Sequence, residues 1–130
     1  MNNANTEYLY KNFPRLYQQR TCPITQTCMC WGFECGDGWL DLIKRLSERL
    51  KEISERTGDD IQAVQVKEKY GTLRFYIEGG NEEAYKAIDK AERESEHTCE
   101  LCGNKEGRLT EQFGWYRVLC EECETKRSGN

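Results

Sequence analysis

Ile61-Gln-Ala-Val-Gln-Val-Lys-Glu-Lys-Tyr-Gly-Thr-Leu-Arg-Phe-Tyr-Ile77 is the stretch that decides the fold. Val64 and Val66 alternate with Gln65 and Lys67, and Leu73, Phe75 and Ile77 alternate with Arg74 and Tyr76. A period of two sends alternate side chains to opposite faces of a pleated strand, so each half reads as a half-buried strand. Lys69-Tyr70-Gly71-Thr72 lies between them and makes an antiparallel hairpin the simplest connection.

Helical periodicity flanks this hairpin on both sides. Upstream, Trp39, Leu42, Ile43, Leu46, Leu50 and Ile53 are spaced as one buried stripe of a helix running to Arg56. Asp37 is its expected N-cap, and Gly58 suits the left-handed position beyond its end. Downstream, Gly79-Gly80-Asn81 interrupts the strand pattern, and Ala84, Ile88 and Ala91 form a narrower stripe on a second helix from about Glu82 to Glu96. Residues 1 to about 21 carry Tyr8, Leu9, Tyr10, Phe13, Leu16 and Tyr17, an aromatic arm expected to pack on the domain. Pro14 forces an extended or turning conformation at Phe13.

Composition bounds the rest. The chain has 130 residues, enough for one compact domain with a small appended module. A mean hydropathy of −0.90 resembles that of a disordered chain, but 3 Trp, 7 Tyr and 4 Phe supply a core. There is no apolar run long enough to span a bilayer, and Met1-Asn-Asn-Ala-Asn5 lacks the basic and apolar regions of a secretory leader. The net charge is −4, and acid alternates with base from Lys44 to Arg56 and from Lys86 to Glu96, as on solvated helix faces. General affinity for nucleic acid is therefore disfavoured. His97 is the one histidine, which removes most acid–base chemistry near neutrality.

The strongest chemical signal is Cys99-Glu-Leu-Cys102 and Cys120-Glu-Glu-Cys123, separated by 17 residues that begin with Gly103. Two residues between cysteines in a tight turn let both sulfurs reach one ion, and two such turns make a four-thiolate zinc site. The gap suits a hairpin turning at Phe113-Gly114, with Leu109, Trp115, Val118 and Leu119 expected to cover the metal. Four sulfurs close the coordination shell, so the zinc is expected to be structural. ββα-metal nucleases, which often sit on paired zinc knuckles, need a histidine as general base between or after them, and none is present there.

Cys22, Cys28, Cys30 and Cys35 form a second set. They could hold a second zinc, be buried or free thiols, or supply a nucleophile, with Cys35 placed before a helix start where a thiol pKa can fall. The missing leader and the Cys-x-x-Cys spacing favour a reduced, intracellular chain over a disulfide framework. Gly36-Asp37-Gly38-Trp39 reads as a helix cap or a small anion cradle. Lys67, Lys69, Arg74 and Tyr76 on the hairpin, and Arg108, Trp115, Tyr116 and Arg117 near the zinc site, are the candidate partner-binding residues.

Cys28-Met-Cys-Trp-Gly-Phe-Glu-Cys-Gly-Asp-Gly-Trp39, Val66-Lys-Glu-Lys-Tyr-Gly-Thr-Leu-Arg-Phe-Tyr76 and the pair Cys99-Glu-Leu-Cys-Gly with Gly114-Trp-Tyr-Arg-Val-Leu-Cys120 together resemble a family of small, uncharacterised proteins encoded by bacteriophages and prophages. The resemblance spans roughly residues 8 to 123. It implies a phage product in the cytoplasm of the bacterial host, of a kind that often inhibits host defences such as CRISPR effectors.

The expected architecture is α+β, with a hairpin or small antiparallel sheet packed on two helices. Residues 1–97 form this domain, 98–125 a zinc-ribbon or treble-clef-like module, and 126–130 a polar tail. The expected function is non-enzymatic: a zinc-containing phage accessory protein that binds a host protein, such as a defence nuclease, and no membrane. The alternatives are a nucleic-acid-binding zinc module and a cysteine-dependent enzyme. One zinc is expected, with a second if the amino-terminal cysteines converge.

Overall fold

The computed structural model describes residues 1–128 and is mixed α+β. Helix α1 spans Asn3–Asn12, and its first turn is closed by the Asn2 side chain, which accepts from the Asn5 amide at 2.8 Å. Strand β1 (Phe33–Glu34) precedes the long helix α2 (Leu40–Thr57). Strands β2 (Gln62–Lys69) and β3 (Thr72–Glu78) form the expected antiparallel hairpin, followed by helix α3 (Glu82–Ser95). Strands β4 (Arg108–Gln112) and β5 (Trp115–Leu119) form a second hairpin, and α4 (Glu121–Ser128) ends the described chain.

The α2 stripe is buried as its spacing predicts, and Gly58 ends the helix at φ +82°. Asn81 caps α3 by accepting from the Ala84 amide at 2.9 Å. The β2–β3 turn is Tyr70-Gly71, both at positive φ, the geometry that matches the twist of a two-residue hairpin.

Three expectations need correction, whereas the aromatic arm packs on the domain, partly as helix α1, and enters the core at Leu9, Phe13, Leu16 and Tyr17. Tyr17 stacks edge-on against Phe33 at 5.0 Å, and its hydroxyl meets Ser47 Oγ at 2.6 Å. The sheet has a third strand, because Phe33–Glu34 pairs in parallel with Val66–Lys67. Two residues are too few to show a period, so this strand leaves no mark in the chain's pattern.

A register shift between Ala63 and Gln65 turns Ala63 rather than Val64 into the core beside Val66. The Val64 carbonyl then accepts from the Cys28 amide at 3.1 Å and Thr27 Oγ at 3.0 Å. Lys126, Arg127 and Ser128 continue α4 rather than forming a tail; Gly129 and Asn130 lie outside the described residues.

The helices α2 and α3 are joined on their outer surface by ion pairs. Arg45 bridges Asp41 and Glu94, while Arg49 and Arg56 share Glu83. Such exposed pairs each contribute at most about 1 kcal/mol, so the apolar stripe beneath them holds the layer. Among the described residues no helix is long and apolar enough to cross a membrane.

Candidate metal centre and its seat on the core

Cys99 and Cys102 lie on a tight turn whose first carbonyl accepts from the Gly103 amide at 2.9 Å, with Gly103 at φ +83°. The Cys99 amide is held by the Asn104 carbonyl at 2.8 Å. The β4–β5 hairpin then returns the chain to the turn, placing Cys120 after β5 and Cys123 in the first turn of α4. Knuckle, hairpin and helix in that order give the treble-clef arrangement rather than a ribbon of two hairpin knuckles. The four ligating atoms lie within 4.8 Å of one another, and the Cys102 and Cys120 sulfurs are 3.6 Å apart.

A tetrahedral zinc at about 2.3 Å from each sulfur requires sulfurs about 3.8 Å apart, so the set fits the ion. Electrostatics point the same way. Burial raises the Cys99 thiol, but the backbone amides of Cys120, Cys102 and Leu101 outweigh it and lower its pKa to about 7. The Asn104 amide works to lower Cys102, yet burial and the Cys99 and Cys120 thiols leave it raised. Burial, and then the adjacent thiols, push Cys123 up as well. Four thiolates this close repel one another, and a divalent cation is the charge that relieves the repulsion. His97 is outside the cluster; its carbonyl accepts from the Gly107 amide at 2.9 Å.

Leu119, Cys99 and Cys120 form a small buried cluster of their own around the site. Val118 is also buried, but Leu109 and Trp115, expected as cover for the metal, face solvent. Leu119 packs with Cys99 and Cys120, whereas Val118, its neighbour along the strand, is buried on the opposite face.

The module is seated on the core by the Gly36–Trp39 segment. Gly38 donates its amide to the Glu100 carbonyl at 2.8 Å, and Gly36 donates to Glu100 Oε2 at 2.8 Å. Trp39 is fully buried and donates Nε1 to the Thr98 carbonyl at 2.9 Å. A methyl group at Gly38 would sit 2.3 Å from the Cys99 carbonyl oxygen, and one at Gly36 would sit 2.4 Å from that of Glu100. The glycines are therefore there for close backbone approach.

This overturns both readings of the segment. The Gly36 and Gly38 amides are taken by Glu100 and the Trp39 amide by the Gly36 carbonyl, so the segment receives a carboxylate of its own chain rather than a free anion. Asp37 makes no side-chain cap on α2; its carboxylate accepts from the Asn2 amide at 2.8 Å and Asn5 Nδ2 at 3.1 Å.

Glu100, only 3% exposed, also meets Arg117 Nε at 3.4 Å. Sequence reasoning missed Glu100 because a glutamate between two zinc ligands looks solvated. The one sign was the adjacent pair of glycines at 36 and 38, which asks for something to approach closely.

The amino-terminal cysteines do not converge in the same way. Among the described residues, no three of Cys22, Cys28, Cys30 and Cys35 form a ligating group. Cys35 is buried, and burial, with Glu100 nearby, pushes its thiol up to about 12, the opposite of the lowering expected before a helix start. Cys30 is exposed, with Cys22 and Cys28 half-buried.

The structure brings the two groups of candidate partner-binding residues together. Lys67 lies opposite Arg74 and Gln65 opposite Tyr76 on the outer face of the sheet, with Lys69 opposite Thr72. Gly71 at the hairpin tip pairs with Arg117 of β5, so the tip of the first hairpin meets a strand of the second. Next to the paired residues, Tyr70 is 71% exposed and Tyr116 partly exposed; Trp115, 72% exposed, and Phe113, 91%, follow toward the tip of the second hairpin. Arg108 is engaged by Glu124 and Arg117 by Glu100. Comparison of the chain with protein-family models, with curated proteins and with solved structures finds no match.

Proposed function

We propose that this chain is a non-enzymatic binding protein, stabilised by one structural zinc, that engages a protein partner through the joined surface of its two hairpins. The observation that carries the reading is the Gly71–Arg117 pairing, which gathers Tyr70, Trp115 and Tyr116 beside the basic sheet face. Exposed Trp and Tyr present large apolar area with a polar tip and are characteristic anchors of protein interfaces. A four-thiolate site leaves zinc no open position for water or substrate, and the buried Cys35 is a poor nucleophile, which supports a non-enzymatic role. The resemblance to phage-encoded proteins makes the partner a protein of the bacterial host, with defence nucleases such as CRISPR effectors the first to test.

A nucleic-acid-binding role is the second reading, favoured by the cation and aromatic side chains that share the sheet face. Affinity capture from bacterial lysate, with and without nuclease, separates the two. A stoichiometric protein that survives nuclease, and is lost with Tyr70→Ala/Trp115→Ala, is the expected result. Material that disappears with nuclease favours the second reading, and no captured partner overturns the first.

A further inference from the structure

Resting on the binding-protein reading, we propose that the outer face of the β2–β3 sheet recognises an acidic segment of the partner through its side chains, and not by strand addition. Both edges of the sheet are already partly occupied. The outward amides of β3 are taken by α3, with Leu73 donating to Ser95 Oγ and Phe75 to Glu92 Oε2, each at 3.0 Å. Across the sheet, β1 covers Val66 and Lys67, and the Val64 carbonyl is bonded to Cys28 and Thr27. An incoming strand would find these backbone groups occupied, which is how native sheets block edge pairing.

The face itself is open and locally basic. Lys67, Lys69 and Arg74 point outward on neighbouring strand positions, about 5 Å apart across the sheet and about 7 Å along it. None of the three lies within salt-bridge distance of a carboxylate among the described residues. Most arginines elsewhere are paired: Arg15, Arg45, Arg49, Arg56, Arg93, Arg108 and Arg117 each meet an acid. Glu34, in register with Lys67, and Glu78, at the far end of β3, are the carboxylates on this face. The positive charge is thus concentrated at the turn end, beside Tyr70 and Tyr76.

A patch this small matches a short acidic segment. A polynucleotide would continue past it over Glu34, Glu78 and the remaining surface of a chain with net charge −4. The exposed tyrosines add apolar contact and hydroxyl groups suited to a peptide.

The test uses fluorescence titration of the zinc-loaded full chain with a random Glu–Tyr copolymer and, separately, a short oligothymidylate. Lys67→Glu/Lys69→Glu/Arg74→Glu reverses the face, and Lys11→Glu/Lys90→Glu/Lys105→Glu makes the same charge change at exposed positions elsewhere. Zinc content and thermal unfolding matching the wild type establish that both variants are folded.

The expected result is copolymer binding that weakens with salt and falls at least about tenfold in the face variant but much less in the control. No copolymer binding, an equal fall in both variants, or oligothymidylate binding as tight as the copolymer overturns the proposal. In lysate capture, a protein partner retained by the face variant overturns this inference alone, whereas no partner for the wild type overturns the binding-protein reading.

Discussion

The buried indole of Trp39 donates to the carbonyl of Thr98 at 2.9 Å, linking the start of α2 to the residue just before the first zinc ligand. Core and zinc module are thus held by one buried side chain and the backbone seat beside it. Trp39→Phe keeps most of the apolar volume but leaves the Thr98 carbonyl without its donor. A buried acceptor left unsatisfied costs about 1–3 kcal/mol, read as a lowered urea midpoint.

Gly38→Ala and Gly58→Ala separate close approach from backbone conformation. At Gly38 the added methyl meets backbone atoms of Cys99 and Glu100, whereas at Gly58 nothing lies within 4 Å and only the left-handed φ is penalised. Gly58→Ala is expected to cost about 1–2 kcal/mol with zinc release to a chelator unchanged. Gly38→Ala is expected to cost about 1–3 kcal/mol and to accelerate zinc release. Identical release rates for the two would show that the seat does not support the module.

Metal analysis should give one zinc per chain. Cys99→Ser or Cys123→Ser should abolish tight binding, while joint replacement of Cys22, Cys28 and Cys30 by Ser should leave it intact. Chelation should expose amides in β4, β5 and α4 to hydrogen exchange and spare α2 and β2, because the module's own buried cluster is small. Retained zinc in Cys99→Ser, or its loss from the triple variant, would contradict the assignment.

Stability should fall in alkali. The Cys35 thiol, ordinarily titrating near 9.0, is raised to about 12 by burial, and burial also raises Tyr17 above its ordinary 10.0. Each group binds its proton more tightly in the native state than in the unfolded chain. The stabilisation is therefore complete below pH 9 and is lost as pH rises toward 12. The slope from one such group approaches about 1.4 kcal/mol per pH unit. Cys35→Ala should flatten the pH 9–12 limb in denaturation experiments; an unchanged limb would remove Cys35 from the explanation.

Elements with a strong period or a paired spacing were legible from the chain alone. The α2 stripe, the β2–β3 alternation and the two Cys-x-x-Cys turns each state a local geometry, and local geometry is what a period encodes. What lacked a period was invisible: the two-residue strand β1, the bulge at Val64, and the helix in the aromatic arm. Tertiary structure alone decided that Gly36 and Gly38 serve the zinc module, since a glycine records only that something must come close and not what does. It also decided that Gly71 pairs with Arg117, which joins the tip of the hairpin that carries Lys67 and Arg74 to the strand that carries Trp115 and Tyr116. Contacts between residues tens of positions apart follow from how the completed layers pack, and no short stretch of chain carries that information.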